Sequence, residues 1–236
     1  MQVPFWSEFT HLILQILNGL YSMVGSYGLA IVLLTIAMRI VLAPVQWKQT
    51  KSMYEMQRIQ PKLKALQAKY KNDKEKQQAE MMKFYQENKV NPLGGCLPLL
   101  LQMPIFIALF RVLRYDLPLE IAKLPAIQQT AAKSFWIIMP DLTLAPKVVF
   151  SASGLVAALP YVIFAVGFAV STYLPTALMP NAEKQTKTMG LYMSLMMLYI
   201  GWISPGGVLL YWVTSSILQI AQQQIQLFFI ARTEGA

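Results

Sequence analysis

One arginine inside a long apolar stretch is the residue of this sequence best placed to act on another molecule. Residues 27–47 read YGLAIVLLTIAMRIVLAPVQW, and Arg39 is the one charged residue among them. At a rise of about 1.5 Å per residue, a helix of this stretch is roughly 31 Å long, the hydrocarbon thickness of a bilayer. Arg39 then lies about 12 Å from the Trp47 end, where burying its guanidinium costs roughly 2.5–3.5 kcal/mol. We therefore expect other polar groups or water to surround it.

The side chain of Arg39 has two ways to avoid hydrocarbon. It could extend along its own stem to the membrane surface, but an arginine reaches only about 6 Å. Its depth of about 12 Å exceeds that reach. A polar cavity inside a helix bundle is therefore the favoured interpretation.

A row of polar residues near the C-terminus is the second pattern that could line such a cavity. Its members recur at intervals of four, three and four, which places them on one face of a helix: Ser215, Gln219, Gln222 and Gln226. Exposing that face to lipid is costly, so it should point inward, where it could also simply hold helices together. Thr35, Arg39 and Gln46 offer a matching face on the first apolar helix. Together these residues predict a hydrophilic groove.

The composition identifies an integral membrane protein. Of the 236 residues, 56% are apolar and 13% are charged, against about 25% charged residues in typical soluble domains. The single cysteine, Cys96, excludes an internal disulfide, and together with the single histidine, His11, it excludes a Cys/His metal cluster. No basic segment precedes the first apolar residues, so we expect no cleavable signal peptide.

The segment after the first apolar stretch has the opposite character. Residues 48–91 contain eleven basic and five acidic side chains. Apolar residues recur at heptad-like spacing over its first part: Met53, Met56, Leu63, Leu66 and Tyr70. The pair Asn72-Asp73 interrupts this seam and can cap a second helix. A helical hairpin, kinked or started at Pro61, is therefore predicted outside the membrane.

The basic charge of this hairpin has two interpretations. A basic segment beside a span marks the cytoplasmic side and is attracted to anionic lipid. The alternative is a docking surface for ribosomal RNA or a targeting partner, which no RNA-binding motif supports. The side chains that would make such partner contacts are Arg58, Lys62, Lys64 and Lys69.

The apolar segments predict an all-α polytopic membrane protein with five transmembrane helices around the groove. Fourteen basic residues lie on the predicted inner side and four on the outer side, so both the hairpin and the C-terminus are placed inside and the N-terminus outside. Gly25 and Gly28 should form the turn into the first span. The fourth apolar run has only about fifteen residues and should thin the bilayer locally. The predicted segments are an N-terminal interfacial amphipathic helix at 1–25, spans at 26–47, 93–113, 154–175, 189–204 and 205–230, the cytoplasmic basic hairpin at 48–92, a proline-punctuated extracytoplasmic loop at 114–153, a short cytoplasmic link at 176–188 and a cytoplasmic tail at 231–236.

Four segments of the chain resemble the YidC-type membrane protein insertases, the YidC/Oxa/Alb superfamily that also has members in mitochondria and thylakoids. They are YGLAIVLLTIAMRIVLAPV at 27–45, MQRIQPKLKALQAKY at 56–70, NPLGGCLPLLLQMPIF at 91–106 and SPGGVLLYW at 204–212. The segments stand in the family's order, and the resemblance extends over nearly the whole chain. Chance similarity does not explain such a match.

The resemblance implies a five-helix core whose hydrophilic groove opens to the cytoplasm and to lipid and is closed outside. It places Arg39 in that groove, with Thr35, Ser171 and Trp212 at groove-lining positions. It also implies a bacterial inner (plasma) membrane location and nascent membrane proteins as substrates. The further candidate partners are the ribosome, a targeting receptor, a translocation channel and the lipid bilayer. The longer outer loop and the short C-terminal tail, ARTEGA, depart from the family pattern.

The function predicted on these grounds is membrane protein insertion by a protein that is not an enzyme. The sequence contains no GxxxxGK[ST] phosphate-binding loop, so we expect no nucleotide hydrolysis and no cofactor. An intramembrane protease would need a Ser-His or paired-Asp arrangement at depth, and the predicted spans contain no Asp. The remaining alternative is a small-solute transporter with a buried Arg site, although the internal repeats typical of transporters are not found.

Overall fold

A computed structural model describes residues 4–88, 90, 97–136, 138–177 and 184–234. These residues are almost entirely helical, and the one extended pairing among them is an isolated bridge between Phe135 and Met139. The predicted all-α class is therefore confirmed. Cys96 and the predicted start of the second span lie outside the described residues, as does the middle of the short link at 176–188.

The helices among the described residues agree only in part with the predicted segments. By length and mean hydropathy, two of these helices can cross a bilayer, and they contain the first and third predicted spans. The last helix carries the row of Ser and Gln residues, which lowers its hydropathy. The other three spans remain predictions. In chain order the helices are α1 (Pro4–Val24), α2 (Tyr27–Lys69), α3 (Lys74–Glu87), α4 (Leu97–Arg111), a π-helical segment (Val112–Asp116), α5 (Leu117–Ala122), α6 (Ala126–Lys133), α7 (Pro146–Ala177), α8 (Lys184–Ile203) and α9 (Gly206–Glu234).

Helix α2 joins two segments that the sequence pattern separates. It contains both the predicted first span and the first arm of the hairpin, and Pro44 and Pro61 lie inside it. The hairpin helix therefore does not start at Pro61. A proline removes one backbone hydrogen bond, but the strong helix formers KLKALQAK follow Pro61 and continue the helix.

The chain divides into two compact units with separate packing. The first comprises Met1–Ile40 and Pro104–Gln219, and the second comprises Val41–Met103 and Ile220–Ala236. In the first unit α7 packs against α8. Its fully covered core is formed by Ala165, Phe168 and Leu209, with partly buried Phe106, Phe164, Met197, Ile200 and Trp212 around them.

The connection at 114–153, also in the first unit, is largely helical, although the described residues between α6 and α7 are not. Pro118 stands in the first turn of α5, Pro125 is the N-cap of α6, and Pro146 begins α7. A proline is well tolerated at a helix start, because its missing N–H has no partner there and its fixed φ suits a helix. Three of the four prolines that suggested a loop are therefore at helix starts, and Pro140 lies in the non-helical stretch between α6 and α7.

A glycine breaks α7 where the third span was predicted to begin. Gly154 has a φ of 77° and a ψ of −175° inside the helix. This region of φ favours glycine, which has no Cβ to clash with the backbone. The break separates a short first part of α7 from the predicted span at 154–175.

Two glycines near the start of α2 have different roles. Gly25 has a φ of 69° and forms the predicted turn between α1 and α2. Gly28 lies inside α2, where an added Cβ would stand 2.6 Å from Cδ2 and 2.8 Å from Cβ of Phe135. Its role is therefore to let Phe135 approach the helix, and the prediction that it forms a turn was wrong.

The basic hairpin of the second unit is held together by specific contacts. Asp73 caps α3, because its carboxylate accepts a hydrogen bond from the Lys76 backbone N–H at 3.0 Å. Gln77 donates from Nε2 to the Gln67 carbonyl at 2.7 Å and ties α3 to the end of α2. The predicted seam is buried or half-buried throughout, most fully at Leu63. The cap at Asp73 and the apolar seam were thus predicted correctly.

Candidate functional site

Arg39 lies in the first unit, and its side chain is almost completely buried at 8% exposure. Its Nε and Nη2 donate hydrogen bonds to the Ser215 hydroxyl at 3.1 and 2.6 Å. Nη2 also donates to Oε1 of Gln219 at 3.1 Å. Ser215 is buried, whereas Gln219 is exposed. The guanidinium thus lies beneath the protein surface, but one of its two partners, Gln219, extends to that surface. We call Arg39, Ser215 and Gln219 the Arg39 site.

The two partners of Arg39 share a face of α9 because they are four residues apart, a little over one helical turn. Tyr211 lies one further turn toward the N-terminus of α9, on the same face, and is only 2% exposed. Tyr211 was not predicted, although its spacing of four from Ser215 is the signal that identified the rest of the row. This face of α9 therefore begins one turn earlier than predicted.

The groups that accept hydrogen bonds from Arg39 are neutral. They are a serine hydroxyl and a glutamine amide oxygen, and within the described part of the chain no carboxylate lies at ion-pair distance from the guanidinium. Removing a charge from water without an opposite charge costs several kcal/mol. A carboxylate that came within 4 Å would gain about 4 kcal/mol at an effective dielectric constant of 20. The site is therefore suited to attract an anionic group of another molecule.

Two further predicted groove residues make hydrogen bonds of their own. Thr35, one turn before Arg39, is buried, and its hydroxyl donates to the Ile31 carbonyl at 2.7 Å. Ser171 accepts a hydrogen bond from the Ser216 hydroxyl at 3.2 Å. Ser216 was not predicted, and it points away from the face that contains Ser215 because consecutive residues differ by about 100° around a helix. Thr35 and Ser171 therefore belong to separate polar contacts.

Trp212 packs in an aromatic cluster of the first unit. Its ring contacts Phe168 and Phe106 edge-on, with centroid distances of 4.6 and 5.3 Å. Such edge-to-face pairs add about 0.5–1.5 kcal/mol each beyond the burial of their area. These contacts favour a structural role for Trp212, next to the core residues Ala165 and Leu209.

The other polar residues of the row lie in the second unit. Gln226 is buried and accepts a hydrogen bond from the Thr50 hydroxyl at 2.6 Å. Gln49 is also buried, and its Nε2 has no hydrogen-bond partner among the described residues. Gln46 is half-buried. Gln49 and Thr50 were not predicted, because the predicted span ended at residue 47. Their spacing of three and four from Gln46 marks one helix face.

The four side chains predicted to dock a partner lie on the hairpin part of α2. Three of them are exposed and Lys64 is half-buried. Lys69 places its Nζ 5.3 Å from the ring centroid of Tyr70, so one of the charges rests against an aromatic face. The set consists of Arg58, Lys62, Lys64 and Lys69.

Two helices long and apolar enough to cross a membrane, and a buried arginine bound by hydroxyl and amide groups, are typical of an α-helical membrane protein with an internal polar site. A sequence model of the family described as 60Kd inner membrane protein matches residues 19–232. The chain therefore belongs to the 60Kd inner membrane protein family.

Individual relatives carry the name membrane protein insertase YidC. The protein from Fusobacterium nucleatum is 36% identical over 209 residues, which are 88% of this chain and 89% of that protein. The proteins from Helicobacter pylori and Francisella tularensis subsp. novicida are 36% and 34% identical over 89% and 93% of this chain. This chain spans only 34% and 36% of their lengths.

A solved structure gives the same result. The crystal structure of an active YidC insertase with its first transmembrane domain resolved has a TM-score of 0.67 and 30% sequence identity to this chain. The match covers 93% of this chain and 46% of the other. The resemblance that was predicted from the four sequence segments is confirmed.

Proposed function

We propose that this protein is a membrane protein insertase, in which the Arg39 site receives the polar flank of an incoming hydrophobic segment. The observation that carries the proposal is the burial of Arg39 among neutral hydrogen-bond acceptors. Because these acceptors carry no charge, the guanidinium can still attract an anionic group. The names of the similar proteins favour an insertase over a small-solute transporter.

The proposed mechanism divides the substrate into two parts. Its apolar segment enters lipid beside the protein, driven by the removal of apolar surface from water. Its short polar flank passes along the hydroxyl and amide groups near Arg39, which replace some of the water that the flank loses. For an acidic flank, the membrane potential adds about 2.3 kcal/mol per charge per 100 mV. Because apolar burial, the polar contacts and the membrane potential supply the free energy, the proposed mechanism requires no nucleotide, no cofactor and no enzymatic step.

The proposed arrangement in a bacterial plasma membrane has five spans, with the N-terminus outside and the C-terminus inside. The uneven distribution of basic residues along the chain supports this orientation. Helix α8 supports a short fourth span, because its first residues, KQTKT, are polar and its apolar part begins at Met189. A thinner bilayer beside α8 would shorten the polar path across the membrane.

The basic hairpin lies on the cytoplasmic side in this arrangement, where nascent membrane proteins arrive. Its exposed cations would contact the ribosome or a targeting receptor. A translocation channel would meet the spans instead, since substrates leave a channel through the membrane. The set Arg58, Lys62, Lys64 and Lys69 is the proposed docking surface.

Insertion of a single-span substrate into proteoliposomes without nucleotide tests the proposal. The substrate is made with an acidic and with a neutral flank, and the protein is compared with Arg39→Ala and Arg39→Lys. We expect Arg39→Ala to slow insertion of the acidic-flank substrate about tenfold, which corresponds to about 1.4 kcal/mol. Arg39→Lys should retain most of the activity, and the neutral-flank substrate should respond less. Arg232→Ala, which removes an exposed arginine near the C-terminus, is the matched control.

Two results would contradict different parts of the proposal. Failure of the unaltered protein to integrate either substrate would contradict the insertase function. Equal insertion of both substrates by the protein and both Arg39 variants would contradict the electrostatic role of Arg39 and leave the insertase function standing.

A further inference from the structure

A cavity of about 500 Å³ opens in the first unit, where the ends of several helices meet. Its wall includes Arg114 of the π-helical segment and Lys147, the second residue of α7. Ile203, the last residue of α8, and Pro205, just before α9, also line it. None of these residues belongs to the Arg39 site. The cavity therefore requires its own explanation.

Two cations face this cavity. Arg114 is held in place by a hydrogen bond from Nη1 to the Ile203 carbonyl at 3.3 Å, and its guanidinium lies 5.7 Å from the ring centroid of Phe110 and 5.9 Å from that of Tyr115. Lys147 is exposed. Within the part of the chain that the structure describes, neither side chain has a carboxylate at ion-pair distance. Both positive charges are therefore available to a ligand.

Two acidic residues lie two positions in sequence from the lining, Asp116 and Asp141, and neither of them lines the cavity. One carboxylate oxygen of Asp141 lies 3.1 Å from Nζ of Lys133, and the other accepts a hydrogen bond from the Thr143 backbone N–H at 2.9 Å. Asp141 is thus already neutralised by its own partner. The described residues that line the cavity contribute two positive charges and no negative one.

The remainder of the wall is apolar. Leu144 and Val148 line the cavity and are 37% and 48% exposed. Next to them in sequence, Phe150 pairs with Trp202 at a centroid distance of 5.8 Å. Aromatic side chains at helix ends are typical of the depth at which lipid headgroups lie. A ligand that fits this surface carries both an anionic and a hydrophobic part.

We propose that this cavity binds an anionic phospholipid, with its phosphate between Arg114 and Lys147 and its acyl chains along Leu144 and Val148. The volume lies within the range of about 300–1,000 Å³ that is common for small-molecule sites, and an inorganic phosphate would leave most of it unfilled. The inference rests on the proposed membrane arrangement, which sets the helix ends at headgroup depth. It does not rest on the insertion activity.

Lipid binding to the full protein tests the inference directly. The protein is purified into phosphatidylcholine nanodiscs, phosphatidylglycerol is added in increasing fractions, and bound lipid is counted by native mass spectrometry after release. Arg114→Gln and Lys147→Gln are compared with Lys123→Gln, which removes an exposed cation from the same connection but outside the cavity. We expect each of the first two exchanges to weaken phosphatidylglycerol retention about fivefold and the control to leave it unchanged.

The outcomes distinguish a lipid-binding site from a site for a free anion and from the absence of any site. Retention of phosphatidylglycerol over phosphatidylcholine that depends on both cations supports the inference. Displacement of the lipid by millimolar inorganic phosphate, or equal retention of both lipids, would overturn it. Lys147 is exposed at a helix start, so Lys147→Gln keeps the test valid should Arg114→Gln fail to fold. Because the readout is lipid retention, failure of the insertion assay leaves this result unaffected.

Discussion

The hydroxyl of Ser215 accepts two hydrogen bonds from Arg39, although 176 residues separate the two in the sequence. The next residue, Ser216, donates to Ser171 instead, at 3.2 Å. Two consecutive serines of α9 therefore serve two different contacts, and only one of them stabilises a buried charge. This difference makes the pair a natural test of the Arg39 site.

Ser215→Ala should destabilise the protein more than Ser216→Ala. The first exchange leaves two N–H groups of a buried guanidinium without their acceptor, which costs about 1–3 kcal/mol. The second removes one partly buried bond between hydroxyls, worth about 0.5–1.5 kcal/mol. Thermal unfolding in detergent compares the two variants, and insertion of an acidic-flank substrate should fall only for Ser215→Ala. Equal effects of both exchanges would show that Ser215 has no special role.

Gly28→Ala should destabilise the first unit through a contact with Phe135. The added Cβ would meet the side chain at 2.6 Å and the Phe135 Cα at 3.1 Å, so a rotation of the ring alone cannot relieve the overlap. Overpacking of this kind costs about 1–3 kcal/mol. The shift of the thermal unfolding midpoint measures it.

Gly19→Ala is the matched control, because nothing lies within 4 Å of its added Cβ. It lies inside α1, where alanine is favoured over glycine by about 0.5–1 kcal/mol. The two exchanges should therefore shift the midpoint in opposite directions. A stabilising Gly28→Ala would contradict the close packing of Phe135 on α2.

Gly154→Ala should destabilise α7 through its backbone. Nothing lies within 4 Å of an added Cβ at this position, but its φ of 77° costs a residue with a Cβ roughly 1–2 kcal/mol. Gly167→Ala in the same helix is the control, since its Cβ would make an ordinary contact of 3.5 Å with Val213. Unfolding midpoints that rise for both variants would mean that the break at Gly154 is absent in solution.

The sequence was sufficient to predict the Arg39 site because two physical constraints coincide there. A buried guanidinium needs hydrogen-bond acceptors, and a polar helix face needs to avoid lipid. Each constraint alone allows many arrangements of the helices. Placing Arg39 against the row that contains Ser215 and Gln219 meets both constraints at once. The all-α class follows as directly from the long apolar runs.

Other features depended on information that periodicity does not contain. A proline pattern does not distinguish a loop from a helix start, and Pro118 and Pro146 are helix starts. Helical spacing shows which side chains share a face, but not which neighbour that face meets. The contact of Gly28 with Phe135 and the bond between Ser171 and Ser216 connect distant segments and could be found only in the structure.

Substitution of the basic hairpin residues can distinguish specific docking from a general attraction to negative charge. Replacing the four proposed docking residues by Gln should weaken binding of ribosome–nascent chain complexes to the reconstituted protein about tenfold or more, with a steep salt dependence. The control replaces four other basic residues of the same hairpin by Gln: Lys71, Lys74, Lys76 and Lys83. Both variants lose the same charge, so a purely electrostatic attraction predicts equal losses. We expect the control to lose less than about threefold, because Lys71 follows the end of α2 and Lys74, Lys76 and Lys83 lie on α3. Of these four, Lys76 lies next to the docking set, with its Nζ 5.6 Å from the ring centroid of Tyr70. Equal losses in co-sedimentation would favour the alternative that the hairpin charge only sets topology and attracts anionic lipid.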